Sequence, residues 1–210
     1  MEDVLAVYEK PYDPAEPVIC LDEKPVSLHA EVRPGLPVES GKPARQDNEY
    51  ERRGTANIFA AVEPKAGRHF TTATPDRSAA QFALLVGDIV DQYPFARTIH
   101  LVLDNLNIHC RKSLVGYYGE QEGGYLWDRL TVHFTPLHGS WLNQAEIEIS
   151  MVARQCLGRR RIPDLETLSQ QVAVWNREAN RNHTTIHWRF TRKKARKLFE
   201  YDPPPKKERR

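Results

Sequence analysis

Three acidic side chains are the residues of this sequence best placed to do chemistry. Asp22 directly follows the apolar run Val18-Ile19-Cys20-Leu21, and Asp104 directly follows a second apolar run over 98–103. Both runs have the character of strands buried on both faces. Both carboxylates are therefore expected at the carboxyl ends of strands, where open α/β sheets bind their ligands. Two aspartates converging there repel each other, and one pKa rises unless a cation lies between them. Hard oxygen ligands favour Mg2+ or Mn2+ over zinc. A third carboxylate is offered by a helix opening at Asn143, which carries both Glu146 and Glu148. Helical spacing barely separates the two. Glu146 shares a face with Ile149 and Ala153, Glu148 neighbours Met151 and Val152, and Glu146 is only slightly ahead. A single Asp at a strand end is more often a cap or loop residue; it is the combination of three acids that points to metal-dependent chemistry.

The elements that must position these acids can be read in order. Residues 1–17 hold Pro11, Pro14 and Pro17 among charges and read as an irregular lead-in. After the first strand, 24–53 is polar and carries four prolines, which predicts an extended loop or irregular hairpin, long enough to hint at function. Strands are expected at 57–62 and 69–74, joined by a turn over 63–67. The apolar spacing of Phe82, Leu85, Val86, Ile89 and Val90 predicts a helix over 78–93, ended by Pro94. A helix-loop stretch over 111–124 leads to a strand at 131–135. Helices are expected at 143–157 and 164–180, the latter capped by Asp164, with a short basic helix at 191–199. This order describes a mixed α/β domain: an antiparallel meander of three strands, then two parallel crossover strands, with helices on both faces of the sheet. The domain is expected to occupy 18–199, followed by a basic, Pro-rich tail over 200–210.

Hydrophobic residues at 40% and charged residues at 28% are the balance of a globular protein rather than a disordered one. No apolar run approaches the roughly 18 residues of a membrane span, and Glu2, Asp3 and Glu9 stand where a secretory signal would be basic and apolar, so a cytoplasmic location is expected. Cys20, Cys110 and Cys156 are far apart and form no metal or redox spacing. The net charge of +2 hides two opposed parts. Residues 1–150 carry 14 Lys/Arg against 22 Asp/Glu, a net −8, and 151–210 carry 16 against 6, a net +10. Such a basic region suits a polyanion partner, though a solvated basic face accounts for the charge equally well.

At Asp104 the residues begin to resemble a known family. Leu103-Asp104-Asn105 with His109, then His133-Phe134-Thr135-Pro136-Leu137-His138-Gly139-Ser140-Trp141-Leu142-Asn143 and Glu146, closely resemble the DDE endonuclease domain of bacterial insertion-sequence transposases related to mariner elements. Asp22-Glu23-Lys24-Pro25 looks like the family's first motif. Pro34-Gly35-Leu36-Pro37, Arg53-Gly54-Thr55 and Phe59-Ala60 fit between, and Trp188-Arg189-Phe190-Thr191 resembles a closing motif. The likeness covers roughly 18–199. It implies a ribonuclease H-like fold and a catalytic, metal-binding triad of Asp22, Asp104 and Glu146. It selects Glu146 over Glu148 because the family's glutamate follows Trp-Leu-Asn by two intervening residues. It further implies two Mg2+ ions, with Mn2+ able to substitute, and a nucleoid-associated enzyme that cleaves DNA and joins the freed 3′-hydroxyl to a target. Its DNA partners would be the element ends and the target, with a homodimer bridging two ends. Helix-turn-helix segments precede the catalytic domain in full-length members; here such a segment is expected to be missing or separately encoded. The second acidic spacing, 42 residues from Asp104 to Glu146, is longer than in the compact mariner-like branch, so 116–129 reads as a local elaboration.

Supporting roles fall to Asn105, His109, Trp141 and Asn143. His109 stands five residues past Asp104, within reach of a scissile phosphate, although a His in such a loop is more often a cap or core contact. Trp141 can stack on an unpaired base or anchor the Glu146 helix, the second being favoured. Arg159, Arg160, Arg161, Arg192, Lys193, Lys194, Arg196 and Lys197 suit phosphate contacts that position DNA without reading its sequence. The competing readings are a noncatalytic DNA-binding remnant of a transposase, a ribonuclease H-like nuclease acting on RNA, and a glycosidase using two acids without metal.

Overall fold

A computed structural model describes residues 1–43, 45 and 47–202. The expected tail over 200–210 lies outside the described residues from 203 onward. The sheet is built on a long antiparallel hairpin, β1 (Val18–Glu31) and β2 (Tyr50–Glu63), with Cys20 opposite Val62 and Glu31 opposite Tyr50. The third strand of the meander is broken into β3 (Arg68–His69) and β4 (Thr72–Thr74), both paired with β2. A crossover through α2 (Ala79–Asp91) leads to β5 (Ile99–Leu103), parallel to β1. A second crossover through α3 (Arg111–Asp128) leads to β6 (Leu130–Phe134), parallel to β5. The spatial order is β3-β2-β1-β5-β6, with β4 beside β2. This is the mixed sheet expected from the sequence, an antiparallel meander followed by two parallel crossover strands. The stretch 116–129 spans most of α3, including its break at Gly119, where φ is +82°, and the C-cap Arg129.

Strand alternation sends successive residues to opposite faces. Ile19, Leu21, Leu101 and Leu103 pack with Phe82, Val86 and Leu114 of α2 and α3. On the other face, Cys20, Val62 and Val102 pack with Val4, Leu5, Leu142, Ala145 and Ala195. The outer half of the hairpin has its own cluster, where Val26, Leu28, Ala56 and Ile58 meet Val152, Leu168, Val172 and Trp175.

Two expectations fail here. The lead-in over 1–17 is not irregular throughout: it opens with α1 (Glu2–Glu9), whose Val4, Leu5, Val7 and Tyr8 are buried. Helical spacing of these apolar residues outweighs the prolines, which begin only at Pro11. Nor does β1 stop at Asp22. It runs on to Glu31 despite Pro25, because parallel pairing with β5 ends at Cys20 and Val102 and leaves that side of β1 an open edge, where proline costs no ladder hydrogen bond.

The C-terminal third begins with a single 3-10 turn (Ser140–Leu142) and α4 (Ala145–Met151), which widens into a π-helical segment over Val152–Leu157. Then come α5 (Leu165–Arg181), capped by the Asp164 carboxylate accepting from Thr167 N, and α6 (Arg192–Phe199). Arg192 pairs with Glu9 and Arg196 with Glu2, so α6 is clasped to α1.

Candidate active site

The register of the parallel strands brings the two aspartates together. Val18, Ile19 and Cys20 of β1 stand opposite His100, Leu101 and Val102 of β5, an offset of 82 residues. Asp22 and Asp104 are also 82 apart. Both therefore follow the last paired residues, Cys20 and Val102, by two, and the Asp104 charge reaches Asp22. The step from Cys20 to Asp22 keeps to the face that packs against Leu142 and Ala145, the entry to α4.

Asn143 fixes that entry. Its side-chain amide donates to Leu21 O at 2.7 Å, and its oxygen accepts from Ala145 N at 3.1 Å. One buried side chain thus ties the start of α4 to the strand residue preceding Asp22. Tyr8 of α1 adds a second tie by donating to Leu142 O. Glu146 follows, half-buried. Its charge reaches Asp22, as do the charges of Glu23 and Asp104. Burial chiefly, then this repulsion, pushes the Asp22 carboxyl up to about 7, against the hydrogen bond it accepts from Glu23 N.

The two glutamates of α4, which helical spacing could not separate, have different surroundings. Glu148 is fully buried and accepts from Thr71 Oγ1 at 2.8 Å, with His69 Nδ1 at 2.9 Å from the same oxygen. It braces α4 against β3 and β4, away from the aspartates.

On the opposite side of Asp104 stands a contact that the sequence reading missed. His109, buried, places Nδ1 2.9 Å from Asp104 Oδ1 and Nε2 2.7 Å from Glu23 Oε1. Burial alone would lower its pKa, but the hydrogen bond and charge of Glu23 and the neighbouring Asp104 outweigh it and hold the imidazole above its ordinary value. An imidazolium satisfies both carboxylates with its two N–H groups. Glu23, adjacent to Asp22 in sequence, points to the other face by strand alternation, and that period of two was the available signal. Asn105 donates to Thr135 O at 2.6 Å, pinning the loop after β5 to the end of β6.

Glu23, Asp104 and His109 offer ligand atoms within 4.8 Å of one another, the one such group among the described residues. Since both ring nitrogens of His109 are engaged by carboxylates, this group reads as a hydrogen-bonded clamp on Asp104. Asp22 and Glu146 fall outside that group, so the three carboxylates expected to share a cation do not bring ligand atoms within 4.8 Å of one another. They offer oxygen donors only, the kind a hard divalent cation takes, from three elements, and the Asp22 charge is disfavoured where it stands.

That disfavoured charge has a consequence for stability. A carboxyl whose folded pKa lies near 7, above its ordinary value of 3.8, stabilises the fold fully at low pH. The contribution fades as pH rises from about 4 through about 7. Asp22→Asn removes this slope, so at pH 8 without metal the variant is expected to be about 1–2 kcal/mol more stable, melting about 3–6 °C higher. Mn2+ should raise the melting temperature of the parent protein and not of the variant. Equal melting of the two metal-free proteins would contradict this.

The basic residues divide. Arg161 donates to Glu31 Oε2 and to the carbonyls of Asp47 and Glu49, holding the loop between β1 and β2. Arg192 and Arg196 hold Glu9 and Glu2 of α1. Lys194 donates to Arg189 O, and Arg160 makes a long contact to Leu157 O. Arg159, Lys193 and Lys197 are exposed, with no ion pair among the described residues. Trp141, five residues before Glu146, packs with Phe190 and Phe199 at centroid distances of 5.3 and 6.3 Å.

The model of a family described as DDE superfamily endonuclease matches residues 17–169. A search of curated proteins gives no match. Among solved structures, the Mos1 mariner paired-end complex with Mn is similar, with a TM-score of 0.55 and 12% identity over 86% of this chain and 56% of that one. The Mos1 transposase paired-end complex with left transposon end gives 0.55 and 15% identity over 86% and 55%. A pre-cleavage Mos1 transpososome gives 0.52 and 13% over 88% and 60%. The chain thus spans little more than half the length of these proteins, and at such identity the likeness is one of fold.

Proposed function

Because the chain belongs to the DDE superfamily of endonucleases, we propose that it is the catalytic domain of a DNA transposase, cleaving DNA strands and joining them with Asp22, Asp104 and Glu146. The observation that carries this reading is the conflict at Asp22, whose charge is opposed chiefly by burial and then by the charges of Glu146, Glu23 and Asp104. Such a conflict fits a site built to receive cations.

Two divalent ions, Mg2+ or Mn2+, held by these three residues would activate the attacking water or 3′-hydroxyl and stabilise the leaving oxygen. The chain's own contribution is placement. His109, backed by Glu23, holds the Asp104 carboxylate in one orientation. Asn143 and Tyr8 hold the start of α4, and with it Glu146, against β1. Arg159, Lys193 and Lys197 are the basic residues best placed to meet phosphates, being exposed and unpaired; Arg161, Arg192 and Arg196 act through the fold by holding loops and helices in place. The catalytic unit includes α1, whose apolar face belongs to the core. Element ends and target DNA are the substrates, and a homodimer would bring two ends together, with a separate helix-turn-helix segment recognising them. No helix among the described residues is long and apolar enough to cross a membrane; we place the protein at the nucleoid.

Incubating the purified chain with duplexes carrying the flanking terminal repeats tests this. Nicked products with free 3′-hydroxyls are expected in Mg2+ or Mn2+ and not in EDTA, and RNA of the same sequence should resist. Cleavage that survives EDTA, or salt-sensitive binding with no cleavage in either metal, would overturn the reading.

A further inference from the structure

A cavity of about 370 Å³ lies where the end of α1, the lead into β1, the end of β2 and the start of α4 meet. That volume is in the range of pockets that take small molecules. Val7, Tyr8, Pro11, Tyr12, Val18 and Pro64 give it apolar and aromatic walls. Two buried polar side chains interrupt them, Glu63 at 2% exposure and Gln144 at 3%. Each has one oxygen without a hydrogen-bond partner, Glu63 Oε1 and Gln144 Oε1. The other Glu63 oxygen accepts from the Tyr93 hydroxyl at 2.6 Å. The cations nearby are committed elsewhere. Lys10 Nζ lies 2.9 Å from His100 Nε2, and Lys65 Nζ donates to Lys10 O. The Arg68 guanidinium lies over the rings of Phe70 and Tyr93 and reaches Glu63 by charge, not by an ion pair. Burial holds the Glu63 carboxyl above its ordinary pKa, the response of a carboxylate that lacks a close counter-charge.

We propose that this cavity binds a small primary amine as its ammonium ion, with the N–H donors on Glu63 Oε1 and Gln144 Oε1 and the apolar body against Tyr8, Val18 and Pro64. An ammonium carries three donors and no acceptor, so it answers orphaned acceptors and an unbalanced negative charge together. A carboxylate or phosphate ligand would add like charge beside Glu63, and a purely apolar ligand would leave both oxygens unpaired. Gln144 is also the residue that opens α4. Its N–H donates to the Tyr8 hydroxyl at 3.4 Å, and Tyr8 donates to Leu142 O at 2.9 Å. Occupancy therefore ties the end of β2 to the segment that seats Glu146, and the amine acts on the reaction centre from a distance, as a brace. The binding itself does not depend on the transposase reading.

Titration calorimetry in EDTA without DNA tests this, with phenethylamine, 2-phenylethanol and 3-phenylpropionate as cationic, neutral and anionic probes of similar body. Phenethylamine should bind saturably, 2-phenylethanol about tenfold or more weaker, and 3-phenylpropionate not at all. Glu63→Gln keeps an acceptor for Tyr93 and should fold as the parent does, while weakening phenethylamine about tenfold or more. Gln144→Leu, which removes the second acceptor, supplies an independent and smaller loss. Hydrogen exchange of the amides over 142–148 should slow at saturating phenethylamine. No saturable binding would mean that the cavity holds only water and would overturn the proposal. So would equal affinity for the amine and the alcohol. Binding that Glu63→Gln leaves unchanged would also overturn it, because the amine would then sit on other acids, those of the candidate active site among them. Saturable binding with exchange over 142–148 unaltered would overturn the brace. None of these measurements involves metal or cleavage, so their failure speaks against the amine site alone, and absence of metal-dependent cleavage speaks against the transposase reading alone.

Discussion

Glu146→Gln is expected to lower metal-dependent DNA cleavage at least about a thousandfold, an activation difference of about 4 kcal/mol, while leaving the fold intact. The side chain is half-buried, makes no contact that the core depends on, and acts on Asp22 through its charge. Replacing the carboxylate by an isosteric amide removes that charge and one hard anionic oxygen from the site, and leaves volume and helix propensity almost unchanged. The circular dichroism spectrum and melting temperature should match the parent within about 2 °C. Single-turnover cleavage of an end-bearing duplex reads the loss. Retention of even a tenth of the parent rate would remove Glu146 from the triad.

Two residues along the same helix, the outcome reverses. Glu148→Ala is expected to cost about 3–5 kcal/mol of folding free energy, because it removes the buried acceptor for Thr71 Oγ1 and the partner of His69 and leaves a void between α4 and the sheet. A domain of this size has a total stability of roughly 5–15 kcal/mol, so the variant should be largely unfolded well below the parent's urea midpoint. Glu148→Gln keeps an acceptor oxygen and should lose less. If Glu148→Ala unfolded at the parent's midpoint with its activity unchanged, the brace described above would have no energetic content.

This pair also shows where sequence reasoning reached and where it stopped. Acid-tipped apolar runs marked Asp22 and Asp104 as strand-end residues, and the parallel pairing of β1 with β5, which no spacing announces, brings the Asp104 charge within reach of Asp22. Amphipathic periodicity could not choose between Glu146 and Glu148, because α4 is short and buries residues on more than one side before widening into a π turn. The choice came from the resemblance to a family. Prolines misled twice: Pro11 to Pro17 concealed the preceding helix, and Pro25 concealed the continuation of β1 along an edge that only the three-dimensional pairing reveals. Counting basic residues overstated the charge available to DNA. Arg192 and Arg196 are spent on Glu9 and Glu2, partners more than 180 residues away that no local pattern could indicate. In the clamp on His109 the Asp104 side is local, but its Glu23 partner is 86 residues away, and only the folded sheet brings it there.

Beyond Cys20, strand β1 leaves the company of β5 and travels outward with β2 alone, and Asp22 stands just past that fork. One aspartate therefore rides on the hairpin arm and the other on the central body, joined near the crotch by the Asn143 staple to Leu21. The gap between the two carboxylates is consequently tied to how that arm is seated, and the cushion beneath it, where Val26, Leu28 and Ile58 rest on Val152, Leu168 and Trp175, steadies the reaction centre from a distance.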